Sequence, residues 1–304
     1  MVQRVTGPGL AALRRELGSA AAPARITQPA FDYDDGHLHR LVRLGPAEHA
    51  KPSDLCEYAN DLLYASEVQA DLFLHLLPTC LQALRDHLHG TGRYGAFVEN
   101  LYPALAHPRV RALMSDKQRA AISDYMGRTL LDEIDEQRGL SYRGMGARPY
   151  RWVRALTTHG VLFPDIERLW TSWWSLDTVG RAVAAAQYLS CLIYANAENP
   201  VFAPWSPDKG GGPPCLWEYE GHLYEHRWLQ PNVAFLERAL EPREAEALLA
   251  RAVAVLAGEP EHAVATAMLE DLPLCRETLE ARCAELPRLL ATVQTAGELL
   301  EWTR

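Results

Sequence analysis

Apolar residues in this 304-residue chain recur at steps of three and four, and almost nowhere do they alternate. Steps of three and four put side chains on one face of a helix, whereas a period of two would mark strands. Leu55, Tyr58, Leu62, Tyr64, Val68, Leu72 and Leu76 form one such run, and Ala121, Ile122, Tyr125, Met126, Leu130, Leu131 and Ile134 form another. Residues 177–194 are apolar nearly all round, which marks a central, buried helix. The pattern predicts an all-α fold: a single compact domain of nine to eleven helices, interrupted by one long loop.

Local signals set the expected boundaries. Ser115-Asp116-Lys117-Gln118 has capping-box spacing, and so has Asp54-Leu55-Cys56-Glu57. Gly139 should close the helix that Ser115 opens. Pro78 should kink or break its helix, and Pro287 should interrupt the last one. Pro164 and Asp165 start a helix, Asn232 caps the next, and Pro242 opens another that Gly258 ends. Residues 1–52 read as an N-terminal arm with turns, holding one short helix over 10–17. Residues 53–304 read as the helical domain, with a sub-boundary at 139–150 around Gly139, Gly144, Gly146 and Pro149. At about 100–200 residues per domain, the length admits one large body or two smaller ones.

Charge narrows the function. The formal net charge is −9. Non-specific nucleic-acid binding draws its affinity from cations that neutralise phosphates, so nucleic acid is not an expected partner. Residues 232–304 hold 13 acidic and 7 basic side chains, so −6 of the −9 sits in the last quarter. Such a surface attracts a basic partner. The expected acidic face is Glu244, Glu246, Glu261 and Glu277. Three lysines against 27 arginines resemble the coding bias of a high-GC bacterium.

The six cysteines (56, 80, 191, 215, 275 and 283) show no C-x-x-C pair and sit mostly in helical patterns, as free thiols of a reducing compartment do. The longest apolar stretch, 182–195, includes Gln187 and Ser190 and is too short to span a bilayer. Near the start there is no uninterrupted apolar core of a signal peptide, and Glu16 after Arg14-Arg15 breaks a twin-arginine pattern. The expectation is a cytoplasmic protein without membrane association.

Residues 199–230 differ in kind. Five prolines and the run Gly210-Gly211-Gly212 forbid regular helix over most of their length. Seven of the eight tryptophans fall between Trp152 and Trp228. In the loop, Trp205, Trp217, Tyr219, Tyr224 and Trp228 could line a binding pocket, or simply anchor the loop to the core. Glu218, His222 and His226 stand at four-residue steps, so on a helix they would share a face and could hold zinc or iron. Against that, Gly221 interrupts the run, and Leu223 stands where a zincin has its glutamate. The triple glycine lacks the following Lys-Ser/Thr of a phosphate loop, and Asp32, Asp34, Asp35, His37 and His39 lack EF-hand spacing and read as a polar turn. Asp61 and Gln69, two turns apart, could border a cavity but read first as part of a solvated helix face.

No complete catalytic constellation emerges. The expectation is a non-catalytic protein-binding module without cofactor, of the immunity-type inhibitor kind, facing a basic protein partner. The alternative is a metal-dependent enzyme or small-molecule binder built on loop 199–230.

Overall fold

The computed structural model describes residues 10–18, 21–32, 34–44, 49–90, 94–140, 148–194, 199–201 and 226–292. Among these residues every regular element is a helix, so the all-α class is observed. Fourteen helices are described, against the nine to eleven expected. Short elements account for the excess: α2 (Gly36–Val42) starts within the expected polar turn, and four-residue α6 starts at Pro108. None of the described helices is long and apolar enough to cross a membrane.

The chain divides into two compact units, Met1–Thr129 and Leu130–Arg304, the division falling within α7 (Asp116–Asp135). The first unit contains α1 (Leu10–Leu17), α2, α3 (Pro52–Tyr64), α4 (Ala70–Leu88), α5 (Gly95–Ala106), α6 (Pro108–Arg111) and the start of α7. Here α3 packs mainly on α5 and α2, and α4 on α1, α5 and α2. Its core holds Leu38, Leu55, Tyr58, Leu62, Phe73, Phe97 and Tyr102. The expected run is split: Leu55, Tyr58 and Leu62 lie on the buried face of α3, Tyr64 is exposed, Val68 lies between helices, and Leu72 and Leu76 belong to α4; the start of α3 does not use the 54–57 box. Pro52 opens the helix, and Asp54 lies buried in the first turn. The 115–118 box does form: Gln118 N–H donates to Ser115 Oγ at 3.3 Å and Ser115 N–H to Gln118 Oε1 at 2.9 Å.

Prolines 78 and 287 both lie inside continuous helices, α4 and α14. A proline removes one helical donor and crowds the preceding turn. Here its ring is buried in apolar packing, and the helix runs on.

The second unit contains the end of α7, α8 (Arg148–Leu162), α9 (Ile166–Trp174), α10 (Val179–Ile193), α11 (Gln230–Ala239), α12 (Pro242–Val255), α13 (His262–Asp271) and α14 (Arg276–Ala291). Every residue of α10 from Ala182 to Ile193 is buried, as its uniformly apolar sequence predicts. It packs against α9, α12, α13 and α14. Gly180 lies directly on the Asp135 carbonyl, so no side chain fits there. Of the expected sub-boundary at 139–150, residues 141–147 lie outside the described residues, and Gly139 takes the left-handed φ of 83°.

Asn232 does more than cap. Pro231 opens α11, and the Asn232 amide donates to Gly160 O (2.8 Å) and Phe163 O (2.7 Å) while its oxygen accepts from Ile166 N–H (3.3 Å). One buried side chain thus closes the C-terminal carbonyls of α8 and the start of α9, groups a helix cannot satisfy internally.

Candidate functional site

The acidic residues of the second unit separate into two kinds. Glu244 and Glu277 are exposed, each in the first turn of its helix. Glu246 is half-exposed and pairs with Arg276 at 3.2 Å. That bridge draws the starts of α12 and α14 together, placing Glu241, Glu244, Glu246, Glu277 and Glu280 at one end of the helix pair. Arg243 and Arg276 are the cations of the same turns, so five carboxylates stand against two guanidiniums. Glu261 is not part of this face. It is only 5% exposed and accepts the Gly139 N–H at 2.5 Å. The missing signal is the partner, 122 residues away in sequence, which no local charge pattern reveals.

Beside these acids the α13–α14 turn presents Leu274, 88% exposed. The turn is fixed by Leu274 N–H to Asp271 O (2.9 Å) and by Cys275 N–H to Asp271 O (3.1 Å). A large apolar side chain held bare on a hydrogen-bonded turn, among carboxylates, is the notable surface feature of this end.

The aromatic loop is mostly out of reach. Trp205, Trp217, Tyr219, Tyr224, Glu218 and His222 lie outside the described residues, and with them the expected loop pocket and most of the three-residue metal set. His226 is half-buried. Trp228 is buried, with its ring flat on Gly160, where a Cβ would come within 2.5 Å of it. The Trp228 backbone N–H donates to Leu290 O at 2.8 Å, and the Leu229 backbone N–H to Gly160 O at 3.1 Å. Trp228 is therefore a wedge between α8 and α14.

The other described tryptophans of this window also belong to the core. Trp152, Trp170, Trp173, Trp174 and Tyr188 cluster with ring centroids 4.7–6.2 Å apart, mostly edge to face. Edge-to-face contact suits rings with negative faces and positive rims.

Buried polar groups bind elements together in both units. In the second, Trp152 Nε1–H donates to Gln187 Oε1 (3.2 Å), and the Gln137 amide donates to Glu133 Oε1 (2.8 Å). Arg148 holds the buried Glu133 carboxylate at 2.9 Å, and His159 meets Asp165 at 2.7 Å. Arg181 holds Asp135 at 2.8 Å.

In the first unit, His37 is 2% exposed and its Nε2 lies 2.6 Å from Asp61 Oδ2. Its Nδ1 faces the Asp34 carbonyl at 3.1 Å and Glu57 Oε2 at 3.3 Å. Burial opposes the charged ring, but the Asp61 hydrogen bond and the Asp61 and Glu57 charges outweigh it and raise the His37 pKa. Asp61 also accepts the Phe31 N–H at 2.7 Å. Arg40 grips Asp54 at 2.8–3.2 Å. Asp61 and Gln69, expected on a wet face, are instead docking points for the N-terminal arm. Position 61 follows Tyr58 by three, so it shares the buried stripe, and that spacing was the available signal.

Cys56, Cys80 and Cys283 are not poised as nucleophiles. Burial pushes the Cys80 and Cys283 thiols up to about 12, and burial with nearby Glu57 and Glu99 raises Cys56. Thiols at such values are protonated and inert at neutral pH. Cys215 lies outside the described residues. Both nitrogens of His37 are engaged, and His159 turns one nitrogen to Asp165 and buries the other. Among the described residues the large apolar side chains left exposed are Phe31, Tyr64, Val255 and Leu274, of which Leu274 is the most exposed. No protein-family model, curated protein or solved structure matches the chain significantly.

Proposed function

We propose that this chain is a non-catalytic protein-binding module whose acidic α12/α14 end receives a basic protein partner, in the manner of an immunity-type inhibitor. The observation that carries the reading is the bare Leu274 on its fixed turn beside the bridged helix starts. Interface energy concentrates in a few apolar anchors surrounded by a polar rim, and complementary rim charge sets the encounter rate. Helix dipoles account in part for Glu244 and Glu277, because acids stabilise a first turn. They do not account for Glu280, beyond the first turn, nor for an exposed leucine.

The test uses the full chain as bait, with captured partners identified and their binding kinetics compared. The E244K/E277K/E280K variant should slow association at least tenfold at low salt, and the difference should shrink as salt screens exposed charges. Leu274→Ala should instead speed dissociation. Partners that bind both variants at wild-type rates overturn the proposal.

A further inference from the structure

We propose that residues 25–44 form a strap that His37 latches onto α3, and that loss of one proton from His37 releases it. The strap lies across the first unit and is pinned at three places. The Gln69 side-chain oxygen accepts the Thr27 N–H at 2.7 Å and the Gln28 N–H at 3.3 Å, its amide nitrogen donates to Arg25 O at 2.9 Å, and its backbone N–H donates to Gln28 Oε1 at 3.0 Å. Arg40 pairs with Asp54 from a half-exposed position. Between these lies the His37–Asp61 contact, which also fixes Phe31 through its N–H.

The stereochemistry of that middle pin is what makes it a latch. Both ring nitrogens of His37 face oxygens that only accept: Asp61 Oδ2 on one side, Asp34 O and Glu57 Oε2 on the other. A neutral imidazole carries one N–H, so it must turn a lone pair toward an acceptor on one side. Only the imidazolium donates on both. The groups acting on the ring come from α3 (Asp61 and Glu57) and from the strap (the Asp34 carbonyl); none from the packed α4 does. Asp34 spends its own carboxylate on Gly36 N–H at 3.0 Å, which holds the turn that presents its carbonyl.

Deprotonation therefore costs His37 one donated contact, to Asp61 or to the Asp34 and Glu57 oxygens, and also the positive charge that both α3 carboxylates hold, so the pin between strap and α3 gives way. The Phe31 ring, 5.2 Å from Tyr64, would leave with it and uncover the end of α3. The sign follows from linkage. A histidine whose folded pKa lies above 6.5 stabilises the docked form fully below 6.5, and that contribution disappears as pH rises through the folded pKa. Each unit of elevation weakens docking tenfold across the titration.

The experiment follows His37 by NMR of the histidine-labelled full chain. In parallel it follows the Phe31 amide by hydrogen exchange, corrected for the intrinsic pH dependence of exchange. His37 should titrate above 6.5, and Phe31 protection should fall at the same midpoint, by the factor that the measured elevation sets. Glu57→Gln, at a half-exposed position that leaves the fold intact, should move both midpoints down together. Gln69→Ala should lower Phe31 protection equally at every pH. His37 titrating at or below 6.5, or Phe31 protection equal on both sides of its titration, overturns the latch.

Discussion

Helices α3 and α10 each carry the heaviest packing of their own unit, and they are buried by opposite means. Around α3, charge is taken inside: Asp54 and Asp61 are both buried and meet Arg40 and His37. Around α10, closeness comes from small residues. Gly180, Ala182, Ala184, Ala185 and Ala186 let neighbouring backbone approach, and the tryptophan cluster fills the remaining space. A core built on shape is indifferent to protons, since close packing carries no titratable term. A core built on a buried ion pair depends on its partner being present and charged. The packing around α3 should therefore answer to pH in a way that the tryptophan packing against α10 does not.

The largest effect should come from the shape-built core. Trp170 is buried and touches Trp173, Trp174, Tyr188 and Phe235. Trp170→Ala should cost about 3–5 kcal/mol, the usual range for a large aromatic removed from a core. Its near-ultraviolet circular dichroism should collapse with little loss of helix signal, and the cost should be the same at pH 6 as at pH 9. A pH-dependent cost would break the comparison.

In the first unit, Asp61→Asn leaves the His37 ring buried opposite a neutral amide. Breaking a buried pair costs about 3–5 kcal/mol when the stranded partner stays charged. His37 has a raised pKa in the folded protein, so the pair's contribution is whole below pH 6.5 and fades above that folded value. The urea midpoint of the variant should fall most at acid pH and draw toward wild type in alkali. Equal loss at both pH values would mean that Asp61 acts through Phe31 alone.

The same contrast explains what could be read in advance. Helix periodicity is local, so α3, α4, α7, α10 and α12 are visible in spacing alone, and so is the Ser115–Gln118 box. What the spacing hides is long-range. Asp61 looks solvated until His37, 24 residues away, is folded against it. Glu261 looks like surface until Gly139 meets it, and Asn232 looks like a cap until three groups of α8 and α9 converge on it. Prolines 78 and 287 do not break their helices, because tertiary packing carries the helix across positions where local chemistry allows a break. Of the candidate site, the charge excess was legible, but Leu274 was not: an exposed leucine and a buried one have the same letter.

The smallest effect should separate stability from recognition. Arg276 and Glu246 are about half exposed and 3.2 Å apart, a geometry in which ion pairs contribute about 0–1 kcal/mol. Arg276→Ala should thus leave the urea midpoint almost unchanged, and even that small loss should shrink in salt. Its effect on binding should be larger and divided. Removing a cation leaves five carboxylates against Arg243 alone, so a basic partner should be attracted faster at low salt. Untying the helix starts should also loosen the turn that holds Leu274, so the same partner should leave sooner. Faster association with faster dissociation is the signature expected if bridge and leucine work as one surface. Faster association with unchanged dissociation would assign the face to charge alone and remove Leu274 from the interface.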